Sequence, residues 1–131
     1  MKRVWSWQDV LPSGASLTVR SVSVTEDALL VEAEGQAAAH CPSCGQRSQA
    51  RHSRYWRTLK DVAAHGQAVT LRVQVSRWRC RNQDCEIAIF AERLADVSAP
   101  RVHHTTRFGV VAHLVGHALG GRAGKRLLNR L

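Results

Sequence analysis

Cys41-Pro42-Ser43-Cys44-Gly45 and Cys80-Arg81-Asn82-Gln83-Asp84-Cys85 contain all four cysteines of this 131-residue chain, with 35 residues between Cys44 and Cys80. Zinc prefers sulfur ligands in a tetrahedron, and a two-residue gap lets one tight turn aim two thiolates at the same ion. Cys41 and Cys44 have that gap. Cys80 and Cys85 have a wider one that is still within ordinary ligand spacing. Gly45 suits such a knuckle, because a turn that points backbone amides at sulfur needs a positive φ. The spacer is too long for a simple finger and long enough for a hairpin that brings the two knuckles together, as in a zinc ribbon.

Three other readings of the cysteines compete. A disulfide pair is disfavoured by a reducing cytosol. A redox dithiol would place Cys41 at the start of a helix in a βαβ unit, and the polar residues beyond Cys44 offer no such helix. A mixed site would use His40 or His52, which four available thiols make unnecessary. One Zn2+ held by Cys41, Cys44, Cys80 and Cys85 is the expected cofactor. With four protein ligands no position stays open for water, so the ion is structural, and it is worth on the order of 10 kcal/mol to so short a segment.

Working outward, Val69-Thr70-Leu71-Arg72-Val73-Gln74-Val75-Ser76 alternates strictly between apolar and polar side chains, the period of a strand leading to Cys80. Upstream, Arg54 to Leu59 reads as partly extended and Asp61 to Gln67, with Gly66, as a turn. Before the first knuckle, Leu17 to Val24 and Leu29 to Ala33 form a second hairpin around Glu26-Asp27, with a bulge or an edge where the apolar phase changes between Val19 and Val22. Residues 1–15, with Trp5, Trp7, Val10 and Leu11, form a packing arm that ends at Pro12-Ser13-Gly14. After Pro100 the period becomes helical: Phe108, Val111, Ala112, Val115, Ala118 and Leu119 recur at three and four, with Thr105 or Thr106 as N-cap. Gly120-Gly121 stops this helix, and a second carries Ala123, Leu127 and Leu131 on one face. The expected fold is therefore α+β. A zinc-ribbon-like unit at 40–96 follows an arm and hairpin at 1–39 and precedes a partial helix-turn-helix at 101–131.

Charge narrows the partners. The chain carries 19 Lys and Arg against 10 Asp and Glu, and the surplus is uneven. Residues 1–40 hold three basic against five acidic side chains, so the remaining 91 residues carry a net +11. A field of that sign attracts polyanions, and neutralised phosphates release counterions. The basic residues flank the cysteines and interleave with aromatics: Arg47, Arg51, Arg54, Tyr55, Trp56, Arg57 and Lys60 in one run, and Arg77, Trp78, Arg79 and Arg81 in the other. Arg grips phosphates bidentately and aromatic faces stack on bases. Trp56 and Trp78 are expected as core residues of a ribbon short of apolar mass rather than as stacking platforms.

Other chemistry is weakly represented. His113 and His117 stand at i and i+4 without the Glu of a His-Glu-x-x-His site, and no Ser-His-Asp set, paired carboxylates or Gly-rich phosphate loop occurs. No catalytic residues are assigned. Apolar runs fall short of a membrane span, and Gln8 and Asp9 interrupt any secretory signal, so neither membrane nor small-molecule substrate is expected and the cytoplasm is the expected location.

The order Leu11-Pro12, a β pair, Cys41-Pro42-Ser43-Cys44-Gly45, Tyr55 to Arg57, Leu59-Lys60-Asp61-Val62, Gly66, the alternating strand, Arg77-Trp78-Arg79-Cys80, Cys85, Phe90 and Arg93 resembles the N-terminal zinc-finger region of ISL3-family insertion-sequence transposases. Trp78 and Glu86 depart from the family's usual residues, and neither is a ligand. The resemblance, over about residues 10–131, implies recognition of the terminal inverted repeats in double-stranded DNA within the bacterial nucleoid. It adds Arg122, Lys125, Arg126 and Arg130 of the second helix to the DNA-binding candidates. It also implies that a recognition helix and a catalytic RNase-H-like domain belong to a longer transposase, of which this chain is a fragment or a separately encoded remnant. Alternatives to a DNA-binding module are a protein-interaction or regulatory ribbon whose helices form a homo-oligomer, and an RNA-binding ribbon.

Overall fold

The alternation at Val69, Leu71, Val73 and Val75 sends four apolar side chains to one face of a strand, and all four are buried. In the computed structural model, which describes residues 7–12, 16–64 and 66–130, this strand is β6 (Gln67–Arg79), the centre of a five-stranded sheet. The antiparallel strand β5 (Arg51–Ala64) lies on one side of it, and β2 (Ala28–Glu34) pairs with it in parallel on the other. The edge strand β1 (Thr18–Val24) pairs antiparallel with β2, with the expected irregularity between Val19 and Ser21. A two-stranded hairpin, β3 (Ala39–His40) and β4 (Arg47–Ser48), carries the first knuckle. Where β2 ends opposite Gln74, β7 (Ile89–Ala91) pairs with the last three residues of β6. The sheet therefore runs through both the N-terminal hairpin and the cysteine segment.

The β5–β6 hairpin is longer than expected. Asp61 to Ala64 belong to the strand, with Asp61 opposite Val69 and Ala64 opposite Gln67. Gly66, at φ 74°, supplies the left-handed conformation of the connection. Asp61 reads as a turn former in sequence, but here it is a buried acceptor, which a sequence pattern does not distinguish.

One face of the sheet makes the core. Leu29, Val31, Ala33 and Leu59 join the β6 residues beneath Val10, Leu11, Leu17, Leu94 and Val97. The arm thus packs through Val10 and Leu11 after a 3-10 turn at Trp7–Val10, whereas Trp5, Ser13, Gly14 and Leu131 lie outside the described residues. A second cluster of Cys41, Trp78 and Phe90 sits at the cysteine end. Trp78 is 1% exposed, as a core residue should be, but Trp56 is 45% exposed. Both lie on the face opposite Leu59 and Val75, and what covers them differs: Arg72 lies over the Trp56 ring at 4.5 Å, whereas Trp78 is enclosed by Cys41 and Phe90 at the knuckles.

The helical segment hangs on one carboxylate. Asp61, 1% exposed, accepts from Thr105 Oγ1 (2.7 Å), Arg107 Nε (2.8 Å) and the Val62 amide (2.8 Å) through Oδ1, and from Arg107 Nη2 (2.5 Å) through Oδ2. Arg107 Nη2 also donates to the Val10 carbonyl, which ties in the arm. Beside this, the Lys60 amide donates to His103 O and the Thr105 amide to Lys60 O, so residues 103–105 run along the β5 edge. The helix α1 (Thr106–Leu119) starts there, with Thr105 Oγ1 accepting from the Phe108 amide as N-cap. Gly120, at φ 69°, ends it, and α2 (Gly121–Leu128) packs back, with Gly124 against Gly116. Of the expected apolar stripe, Phe108, Val111, Ala112 and Val115 are half-buried, and Ala118 and Leu119 are exposed. No helix among the described residues is long and apolar enough to cross a membrane.

Removing one partner of a buried charge pair strands the other. Asp61→Ala should therefore lower the unfolding free energy by about 2–3 kcal/mol, less than for a fully buried pair because Arg107 is a third exposed. Urea titration followed by circular dichroism measures it, and a loss below about 0.5 kcal/mol would contradict the role given to this carboxylate.

Candidate metal centre and nucleic-acid interface

Each knuckle is closed by its own backbone. Cys41 N–H donates to Gln46 O (3.0 Å) and Gly45 N–H to Cys41 O (2.8 Å), a tight loop that Gly45 allows at φ 75°. The second turn is closed by Cys85 N–H on Asn82 O (3.1 Å), and the Asn82 side chain accepts from the Asp84 amide. The sheet then sets one knuckle against the other: Arg79 N–H donates to Ala50 O (2.7 Å), Ser48 Oγ to Arg79 O (2.5 Å) and Cys80 N–H to Ala88 O (2.9 Å).

The result is crosswise. Cys41 Sγ is 3.8 Å from Cys85 Sγ, Cys44 Sγ is 3.6 Å from Cys80 Sγ, and all four sulfurs lie within 4.8 Å of one another. A tetrahedral zinc with bonds of about 2.3 Å separates its sulfurs by about 3.8 Å, so the donor set fits that ion. The cysteines are free thiols, too far apart for S–S bonds, and neither His40 nor His52 joins the cluster. When bound, zinc supplies a structural cross-link between the two knuckles and no open coordination position.

Crowding the thiols splits their acidities. The Gln46 amide, helped by the Asn82 side chain and the Cys80 and Cys41 thiols, outweighs burial and holds Cys44 down to about 6. At Cys80 the Asn82 amide also pulls downward, but burial and hydrogen bonds with the other three cysteines push the thiol up to about 12. One thiolate forms readily and further negative charge is resisted, the behaviour expected of a cluster completed by a cation.

The basic candidates fall into two groups and one exception. Arg47, Arg51, Arg54, Lys60, Arg77, Arg79 and Arg81 are exposed around the sheet and knuckles, and Arg122, Lys125, Arg126 and Arg130 are exposed on α2 and just beyond it. Arg51 covers the Trp78 ring at 4.9 Å and Arg77 covers Tyr55 at 4.3 Å, so both are pre-ordered by stacking. Arg57 is the exception. Its Nη2 donates to Ala99 O and Val102 O at 2.9 Å and to Ser98 Oγ at 3.3 Å, which fixes the connection into the helices. Arg72 was not singled out by sequence, although its place on the polar side of the alternating strand is legible. It stacks on Trp56 and pairs with Glu32.

Residues 37–85 match the family model described as the zinc-finger of transposase IS204/IS1001/IS1096/IS1165. This segment is similar to the zinc ribbon of ISL3-type transposases and carries the four clustered cysteines such a ribbon needs, so the resemblance read from its cysteines and flanking motifs holds over these residues. No curated protein and no solved structure matches the chain.

The purified chain should carry one zinc per molecule. Cys80→Ser, or a strong chelator, should remove it and lower the thermal transition, read by elemental analysis and calorimetry. Protons compete for the four thiolates, so zinc should also be released as the solution is acidified. A colorimetric zinc indicator follows that release, and retention of the ion at pH 4 would contradict the four-thiolate assignment.

Proposed function

We propose that this chain is a DNA-binding module of a transposase that holds the terminal inverted repeats of its element and performs no chemistry itself. The observation that carries the reading is that Arg47, Arg51, Arg54, Arg79 and Arg81 stand exposed around a transposase-type zinc ribbon that braces them. A rigid array of guanidinium groups binds a phosphate backbone with little loss of side-chain freedom. On α2, Arg122 and Arg126 stand at four-residue spacing on one face with Lys125 beside them, and Arg130 follows just beyond the helix end, which makes a second basic strip. The two helices joined at Gly120 are read as the opening of a helix-turn-helix.

A second reading, a protein-interaction module, draws on Val110, Leu114 and Leu119 of α1, which are 55%, 60% and 51% exposed. Apolar side chains exposed along one helix suit a protein contact, including a homo-oligomer.

Mobility-shift titrations against an element end and against random duplex test the first reading. Binding should weaken steeply with salt, and the combined Arg54→Glu, Arg79→Glu and Arg81→Glu variant should lose about tenfold or more in affinity while remaining folded. Arg57→Ala should instead lower stability with little effect on affinity. Equal affinity for element ends and random duplex would rule out sequence recognition. Unchanged duplex affinity in the triple variant, with oligomers in light scattering, would favour the second reading.

A further inference from the structure

Residues 89–103 leave β7, cross the core face and reach the β5 edge, and between this path and the hairpin lies an open cleft of about 1170 Å³. Its lining includes Tyr55, Arg77, Arg93, Arg101 and His103, with Arg57 in the wall. Four guanidinium groups thus meet one lining carboxylate, Glu92, whose Oε1 accepts from the Gln36 amide. The cleft is basic and has an aromatic platform: the Arg77 guanidinium lies 4.3 Å from the centre of the Tyr55 ring.

Arg101 marks the cleft as more than a gap. In the turn Ala99-Pro100-Arg101-Val102, the Val102 amide approaches Ala99 O at 3.4 Å and Arg101 holds φ 65°. Proline followed by a residue of positive φ is the pattern of a type II turn, whose third position favours glycine. An arginine there strains the backbone, and its side chain is exposed on the cleft. Strain held at a site is a pointer to function when the surroundings enforce it. Here the Arg57 side chain enforces it by binding the carbonyls of Ala99 and Val102.

Resting on the nucleic-acid reading above, we propose that this cleft binds an unpaired stretch of a DNA strand. A base stacks on the Arg77 and Tyr55 platform, and Arg93 and Arg101 hold the neighbouring phosphates. A duplex keeps its bases inside its own stack and cannot offer them to a walled cleft, whereas an unpaired nucleotide presents a ring face and a phosphate together. The volume exceeds the roughly 300–1,000 Å³ of small-molecule pockets and suits more than one nucleotide.

The test uses the zinc-loaded full chain, with fluorescence anisotropy on a labelled short oligothymidylate and on a labelled blunt duplex. Arg101→Gly removes the side chain and relieves the turn, so a loss of binding cannot be ascribed to damage. We expect oligothymidylate affinity to fall about fivefold or more in Arg101→Gly and in Arg93→Ala, duplex affinity to stay within about twofold, and the melting temperature of Arg101→Gly to hold or rise. Unchanged oligothymidylate affinity in both variants overturns the proposal, as does an equal loss on both probes. Competition by polyglutamate as effective as that of unlabelled oligothymidylate at equal charge overturns it too, since any anion would then serve. Failure to bind oligothymidylate with duplex binding intact refutes the cleft and leaves the DNA-binding module standing, while failure on both refutes the two together.

Discussion

Four sulfurs that belong to two turns 35 residues apart come within 4.8 Å only because a long antiparallel ladder returns the chain to its start. That ladder, β5 against β6, is continuous with the hydrophobic face that the rest of the molecule covers. The cysteine cluster and the sheet therefore specify each other. The ladder sets the distance between knuckles, and the zinc site ties the end of the hairpin that would otherwise fray. Burial of Trp78 and Phe90 beside Cys41 joins the two systems, since the same aromatic residues close the sheet and wall the sulfurs.

The second constraint is electrostatic. A buried carboxylate must be compensated, and Asp61 is compensated from the first turn of α1 by Arg107 and from the N-cap by Thr105. Arg107 extends the tie to the arm through Val10 O. Arm, hairpin and helix thus converge on one residue near the end of β5, far along the ladder from the metal. The helices need this anchor because they bury little themselves: α1 has no fully buried residue.

Positive charge is shared between these structural duties and a free surface. Arg57 and Arg107 are occupied in holding the connection and the helix start, and Arg72 is held by Trp56 and Glu32. The arginines beside the knuckles and those on α2 remain turned to solvent. A basic sequence does not by itself separate the two kinds. In a chain this small a guanidinium is often the only group long enough to reach several carbonyls at once, so an arginine in a strand can be a strut.

Much was legible without coordinates. Cysteine spacing specified the ligands because coordination chemistry is local, the period of Val69 to Ser76 specified the central strand because the pleat has period two, and Thr105 and Gly120 specified the limits of α1 because caps depend on single residues. What only the tertiary structure decided depends on partners distant in sequence. The parallel pairing of β2 with β6 merges two segments that read as separate, and Asp61 looks like a turn residue until Arg107 is placed against it. Trp56 reads like Trp78 until the knuckles close over one and leave the other to solvent. Arg57 and Arg101 are likewise two arginines among many in sequence. One becomes a strut and the other sits strained over a cleft, because burial and backbone strain are set by what surrounds a residue and not by the residue itself.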